Sequence, residues 1–322
     1  MNEELLARKS RKLVIIGATG FIGRALLKLL NARKGLNVLA LVRNEVNDEL
    51  TRLENIVYVK VKFSDVSEIS KHISPGCVVI NLMYDNENLS ENCRIIDMIA
   101  TASVTGLALR CIHMSTAVVA GRVSDKIITE RTIDKPFTKY EKAKLEIENR
   151  LANAFAQSKV GLVIIRPTAV FGAGGQNLLK FIYDVENDSA FISYLRACFH
   201  DKRPMNLVSV EKVIGAIEFF IDSSNSGCEK FIVSDDNESL QNFSELERLV
   251  RIRLGKSDRF VPVIPVPSFI VSIFLRVRGR SNLNIARRYS DEKLMSFGFD
   301  NANYNFNASL EKFIDLLVSK NF

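Results

Sequence analysis

The chain of 322 residues has room for about two globular domains of ordinary size. With 47% hydrophobic and 25% charged residues, 16 glycines and 7 prolines, its composition excludes a disordered chain, a collagen-like repeat and a small disulfide-held scaffold. A net charge of +7 favours anionic partners in general and names none.

The amino terminus, MNEELLARKSRK, is charged where a signal peptide needs an apolar run, so the expected location is the cytoplasm. Five cysteines (Cys77, Cys93, Cys111, Cys198 and Cys228) form no CxxC pair or short His/Cys cluster. No zinc site is therefore expected, and an odd number fits a reducing compartment. Short apolar runs then alternate with helical patterns from Lys12 to about Arg166. The strands read Leu13 to Ile16, Val38 to Val42, Val57 to Val61, Val78 to Leu82, Cys111 to Met114 and Leu162 to Ile165. Helices are expected over FIGRALLKLLNARKG with Gly35 as its stop, over Ser90 to Val104, and over Tyr140 to Gln157. Strands apolar on both faces alternating with helices describe an α/β fold, a parallel sheet covered on each side.

After Pro167 the pattern loosens into an appended lobe with one strand candidate, Lys230 to Val233. The stretch Val261 to Leu275 is interrupted by Pro262, Pro265 and Pro267 and is too short to span a bilayer, so at most it grazes a membrane surface. RVRGR at Arg276 to Arg280 reads as a solvated helix end rather than a nucleic-acid patch.

GATGFIG, with Gly17, Gly20 and Gly23, follows the first strand and opens the first helix. Glycine permits a tight turn and close backbone approach to a pyrophosphate, whose charge the helix N-terminus favours. A plain strand-to-helix turn is the alternative. Dinucleotide sites usually carry an acidic residue at the end of the second strand. Here Arg43 stands there, 20 residues past Gly23, and suits a ribose 2′-phosphate, which favours NADP(H), while Glu45 keeps NAD(H) open. Tyr140 and Lys144 lie four apart, on one helical face. An ammonium near a phenol lowers its pKa and fits it for general acid/base work, although the spacing alone is common. Thr116 follows the fifth strand, where a hydroxyl at the carboxyl edge of the sheet is placed to orient a reacting oxygen.

Taken in order, GATGFIG, FSDV (Phe63 to Val66), MSTAVVAG (Met114 to Gly121), YEKAKLEIE (Tyr140 to Glu148), IIRPTAVFGAGG (Ile164 to Gly175) and KLMSFGF (Lys293 to Phe299) resemble the extended short-chain dehydrogenase/reductase superfamily, in its nucleotide-sugar epimerase and dehydratase branch. The resemblance implies a Rossmann-type, doubly wound NAD(P)-binding domain over residues 1–170. A smaller α/β substrate lobe follows over 171–322, with the chain crossing back to the first domain. It places Thr116, Tyr140 and Lys144 on the catalytic positions and gives Lys144 a second task on the nicotinamide ribose. Cofactor contacts are implied for Gly17, Thr19, Gly20, Phe21, Ile22, Gly23, Arg43, Asp65, Val66, Leu82, Met83 and Pro167 as well. Asp65 would hold the adenine amino group, or simply cap the helix that follows. Tyr84, Thr168, Asn177 and Arg203 would meet the substrate, and homodimers through helix pairs are the family's habit.

Several positions depart from the family pattern. Met83 and Tyr84 stand where small residues are usual and either narrow the pocket or pack beneath a loop. Lys212 replaces an Asp, Ala120 replaces a Tyr, and Phe171 stands in place of a Tyr. The implied activity is NAD(P)-dependent hydride transfer on a nucleotide sugar, as an epimerase or reductase. Dehydration is least expected, because Ala117 and Val118 supply no acidic pair. The alternatives are an NADPH-dependent reductase of a hydrophobic ketone or alcohol, and a non-catalytic NAD(P)-binding regulator.

Overall fold

The computed structural model describes residues 11–33, 35–46, 50, 53–223, 227–257, 262–267, 270 and 284–319. The amino-terminal charged run, the RVRGR run and most of Val261 to Leu275 lie outside the described residues. In chain order the strands are β1 (Lys12–Ile16), β2 (Asn37–Val42), β3 (Ile56–Lys60), β4 (Val78–Asn81), β5 (Arg110–Met114), β6 (Ile127–Ile128), β7 (Gly161–Pro167), β8 (Ala169–Phe171), β9 (Leu207–Ser209), β10 (Cys228–Val233) and β11 (Arg288–Tyr289). The helices are α1 (Phe21–Asn31), α2 (Val66–Ser70), α3 (Leu89–Thr105), α4 (Lys139–Phe155), α5 (Leu179–Asn187), α6 (Ala190–His200), α7 (Val210–Asp222), α8 (Phe243–Arg253), α9 (Glu292–Ser296) and α10 (Phe306–Ser319).

The chain divides into two compact units. The first comprises Met1–Val119, Thr138–Arg166 and Val213–Phe231 and holds a seven-stranded sheet of order β10-β7-β5-β4-β1-β2-β3. Adjacent strands β1–β2, β2–β3, β1–β4, β4–β5 and β5–β7 run parallel. This is the doubly wound α/β sheet that the apolar runs call for, because strands such as β4 and β5 are buried at every residue. Alternation along β1 sends Val14 and Ile16 into a core with Ile95 and Ile99 of α3 and Ile147 and Leu151 of α4. Helix α1 buries Leu26, Leu27 and Leu30 but ends at Asn31 rather than Gly35, with the Ala32 N–H closing onto the Leu29 carbonyl and the Arg33 N–H onto the Leu30 carbonyl.

The second unit comprises Ala120–Phe137, Pro167–Lys212 and Ile232–Phe322. Two parallel two-stranded pairs, β8–β9 and β6–β11, lie in it. Its core gathers Phe171, Ile182, Leu246, Phe306 and Phe313, with Phe171 edge-on to Phe306 at 5.5 Å between ring centres. Lys212 is fully buried there, and its ammonium donates to Asp235 Oδ1 at 2.7 Å and Asp291 Oδ2 at 2.8 Å. The cation that departs from the family pattern is thus neutralised by two carboxylates of its own unit.

Candidate active site

The first turn after β1 closes on glycines that nothing else can replace. Gly17 has φ +83°, and a Cβ on it would sit 2.6 Å from the Met83 amide nitrogen; one on Gly23 would sit 2.4 Å from the Gly17 carbonyl oxygen. Gly20 caps α1 and brings no side chain to its first turn, so the backbone N–H groups of Phe21 and Ile22 and the positive end of the helix dipole face the turn. Around the turn lies a cleft of about 450 Å³, lined among others by Thr19, Gly20, Arg43, Leu82, Met83 and Tyr84. This is a volume suited to a small-molecule ligand. The cradle fits the pyrophosphate of a dinucleotide: the backbone is bare where a phosphate must approach, and added methyl groups would collide with the chain itself.

Arg43, exposed at the cleft rim after β2, places Nη2 3.4 Å from Met83 Sδ and lies 6.0 Å from the Phe63 ring centre. Glu45 also lines the cleft, and its carboxylate lies 3.9 Å from Lys60. Asp65 caps α2, accepting the Ser67 N–H at 2.8 Å, and this hydrogen bonding holds its carboxyl below the usual range. Val66, behind it, packs against the sheet core.

Helix α4 begins with a reciprocal cap: Glu141 N–H donates to Thr138 Oγ1 at 3.2 Å and Thr138 N–H to Glu141 Oε2 at 3.1 Å. The T-x-x-E spelling of that cap is visible in the sequence and fixes Tyr140 in the first turn, with Lys144 one turn on. Tyr140 keeps 39% of its surface exposed and shares a hydrogen bond with Thr116, which follows β5. Its ring meets the Tyr84 ring edge-on, centres 5.4 Å apart. Lys144 is 4% exposed; its Nζ donates to the Met114 carbonyl at 3.3 Å and lies 4.0 Å from the centre of the Tyr84 ring. The three side chains therefore converge at the carboxyl ends of β4 and β5, with Tyr84 among them.

The electrostatics depart from the sequence reading. Lys144 was expected to pull the Tyr140 phenol down, yet burial and then Tyr84 push it above its ordinary value, and the Thr116 hydrogen bond is what lowers it. The reason is that the Lys144 ammonium is turned to Met114 and the Tyr84 face. Burial brings Lys144 itself down to about 8, with the Glu148 carboxylate pulling the other way. Tyr84 is likewise pushed up by burial, then by Asp85.

Under the site lie two buried polar clusters, centred on His113 and on Glu148, neither of which was given a role in the sequence. Asn81 Oδ1 accepts the Met83 N–H at 3.2 Å, so its amide lies 3.0 Å from His113 Nδ1 as donor and leaves the proton of a neutral ring on Nε2. Burial holds that ring well below the ordinary histidine range, which fits the neutral form. Glu148, fully buried, accepts from Ser115 Oγ and from Arg166, Nε at 2.9 Å and Nη2 at 2.5 Å. It stands four residues beyond Lys144, so helical spacing already put it on the same face. Through Ser115 it braces the segment that carries Thr116. Removing one partner of a buried ion pair costs about 3–5 kcal/mol. Glu148→Gln is accordingly expected to lower the unfolding free energy by that order, read from the midpoint and slope of urea unfolding; a midpoint equal to wild type would contradict the bracing role.

In the second unit, Thr168 is buried and Asn177 Nδ2 donates to the Val170 carbonyl at 2.6 Å. Pro167 ends β7 and begins this unit, and Arg203, exposed, approaches His200 Nδ1 at 3.4 Å.

Among the described residues no helix is long and apolar enough to cross a membrane, and no group of three or more His, Cys, Asp or Glu could hold a metal.

Comparison with known proteins adds to the site. UDP-glucose 4-epimerase of Vibrio cholerae is 23% identical over 289 residues, covering 85% of this chain and 84% of its own. Divinyl chlorophyllide a 8-vinyl-reductase of Arabidopsis thaliana is 24% identical over 287 residues, 82% of this chain and 63% of that longer protein. The structure of dTDP-glucose 4,6-dehydratase from Bacillus anthracis in complex with NAD superposes with a TM-score of 0.71 at 15% identity, covering 97% of each chain. That last likeness shows the fold. The model of the NAD-dependent epimerase/dehydratase family matches residues 13–214, well over half the sequence. The chain belongs to the NAD-dependent epimerase/dehydratase family.

Proposed function

We propose that the protein is an NAD(P)-dependent epimerase or reductase of a nucleotide sugar, with Tyr140 as the general acid/base. The observation that carries this reading is the convergence of Thr116, Tyr140 and Lys144 at the carboxyl ends of β4 and β5, in the same unit as the glycine cradle. A bound nicotinamide supplies the hydride acceptor and donor. The chain's own residues do the rest. Gly17, Gly20 and the α1 N-terminus would hold the pyrophosphate; Tyr140 takes the proton of a sugar hydroxyl at its phenolic oxygen and returns it; Thr116 orients that hydroxyl and, through its hydrogen bond to Tyr140, favours tyrosinate; Lys144 would hold the nicotinamide ribose. Names of the relatives, UDP-glucose 4-epimerase and dTDP-glucose 4,6-dehydratase, support a nucleotide sugar as substrate. The test is mass spectrometry of ligands retained through gentle purification, then a screen of UDP, dTDP and GDP sugars for altered nicotinamide absorbance or product stereochemistry. Turnover of a UDP or dTDP sugar is expected, and inertness toward all three classes would overturn the reading.

Arg43 at the cleft rim supports NADP(H) over NAD(H). A charge-assisted hydrogen bond is worth ~1.5–3 kcal/mol, so Arg43→Ala should weaken NADP(H) binding roughly tenfold or more and leave NAD(H) nearly unchanged by calorimetry. Unaltered NADP(H) affinity would sink the assignment. A second reading, net reduction of a non-sugar hydrophobic substrate, is favoured by the similarity to a vinyl-reductase. Lack of any affinity for UDP or dTDP in a chain that oxidises NADPH would select it.

A further inference from the structure

Tyr84 occupies a position with consequences for ligand binding. Strand β4 lies between β1, which carries the glycine turn, and β5, which leads to Thr116. A dinucleotide gripped at its pyrophosphate by that turn and reaching Tyr140 must therefore pass over the end of β4, where ligands of open parallel sheets lie. The Tyr84 ring stands at that crossing. It lines the cleft beside Gly17 and Leu82. Its face covers the Lys144 ammonium at 4.0 Å, and it meets the Tyr140 ring edge-on at 5.4 Å. An ammonium over an aromatic face is held by the ring quadrupole, the more strongly when water is excluded, as it is for Lys144 at 4% exposure. The loop bearing Tyr84 is itself fixed, through the Met83 N–H on Asn81 and the Asp85 N–H on Asn92 Oδ1 at 2.9 Å.

We propose that the Tyr84 ring competes with the nicotinamide half of the dinucleotide for the Lys144 ammonium, and so weakens the site's grip on that half while leaving the adenine half untouched. The inference rests on the cofactor reading given under Proposed function. It makes Tyr84 a specificity-determining residue: the ring must swing off Lys144 before the second ribose can reach it, and a smaller side chain has nothing to displace.

The test is calorimetric, on the full chain, with NAD, NADP and ADP as probes. Two small replacements, Tyr84→Ala and Tyr84→Ser, are expected to tighten dinucleotide binding about threefold to thirtyfold, the range of a lost cation–π contact from exposed to desolvated, and to leave ADP affinity within about twofold. Tyr84→Phe keeps the ring face and should bind all three probes as wild type does, which separates the ring from its hydroxyl and serves as the folded reference. Dinucleotide affinity equal to or weaker than wild type in the small variants would overturn the competition, as would a Phe variant that behaves like Ala. If neither wild type nor any variant binds a dinucleotide, the cofactor reading fails and the competition with it; if all bind dinucleotide equally, the competition alone fails.

Discussion

Tyr140→Phe is expected to lower kcat by about 10²–10⁴, the usual contribution of a positioned general acid or base, while leaving dinucleotide affinity and the thermal midpoint close to wild type. The asymmetry follows from geometry. The ring packs edge-on against Tyr84, and Phe keeps that contact. The phenolic oxygen, hydrogen-bonded to Thr116, is the only heavy atom removed. Steady-state kinetics with separate kcat and KM values decide it, and turnover within a few-fold of wild type would refute the role.

Lys144→Met should weaken both dinucleotide binding and turnover, each by about tenfold or more, since a hydrogen bond to a charged group is worth ~1.5–3 kcal/mol. The pH dependence carries a sign that can be worked out. Burial lowers the Lys144 ammonium from 10.5 to about 8. In the free enzyme its charge is lost as pH rises through about 8, so kcat/KM should fall above that pH, and Lys144→Arg should abolish the falling limb. Stability runs the other way. Between about 8 and 10.5 the unfolded chain binds the proton that the folded chain has released, so stability rises with pH across that window, and below it the buried ammonium is a cost. Lys144→Met should therefore melt no lower than wild type at neutral pH, although it is less active. A midpoint several degrees lower, together with unchanged kinetics, would mean that Lys144 is a packing residue.

The sheet was legible because most of its strands are near-continuous apolar runs, each placed within about two residues, and because Gly17 and Gly23 of GATGFIG sit where a Cβ would strike Met83 and Gly17. Strands β6 and β11 were not, since two residues carry no period and Ile127 pairs with Arg288 across half the length of the chain. Lys212 shows a second limit. Read alone it is a departure that puts the substrate in doubt, whereas its compensation by Asp235 and Asp291 depends on residues 23 and 79 positions away. Tyr84 was recognisable as bulky for its place, but its position on the Lys144 face depends on how β4 and α4 pack, which spacing does not encode. The direction of the Tyr140 shift was missed for the same reason: four-residue spacing puts an ammonium on the right helical face without saying which group it turns toward.

A crystal structure of the protein with NAD(H) or NADP(H) bound tests the account most directly. The nicotinamide ring is predicted to lie beside the Tyr140 and Thr116 hydroxyls, with the adjoining ribose on Lys144 and the Tyr84 ring displaced from it. A dinucleotide held at the glycine turn with its nicotinamide directed away from β4 and β5, or not held there at all, would contradict it.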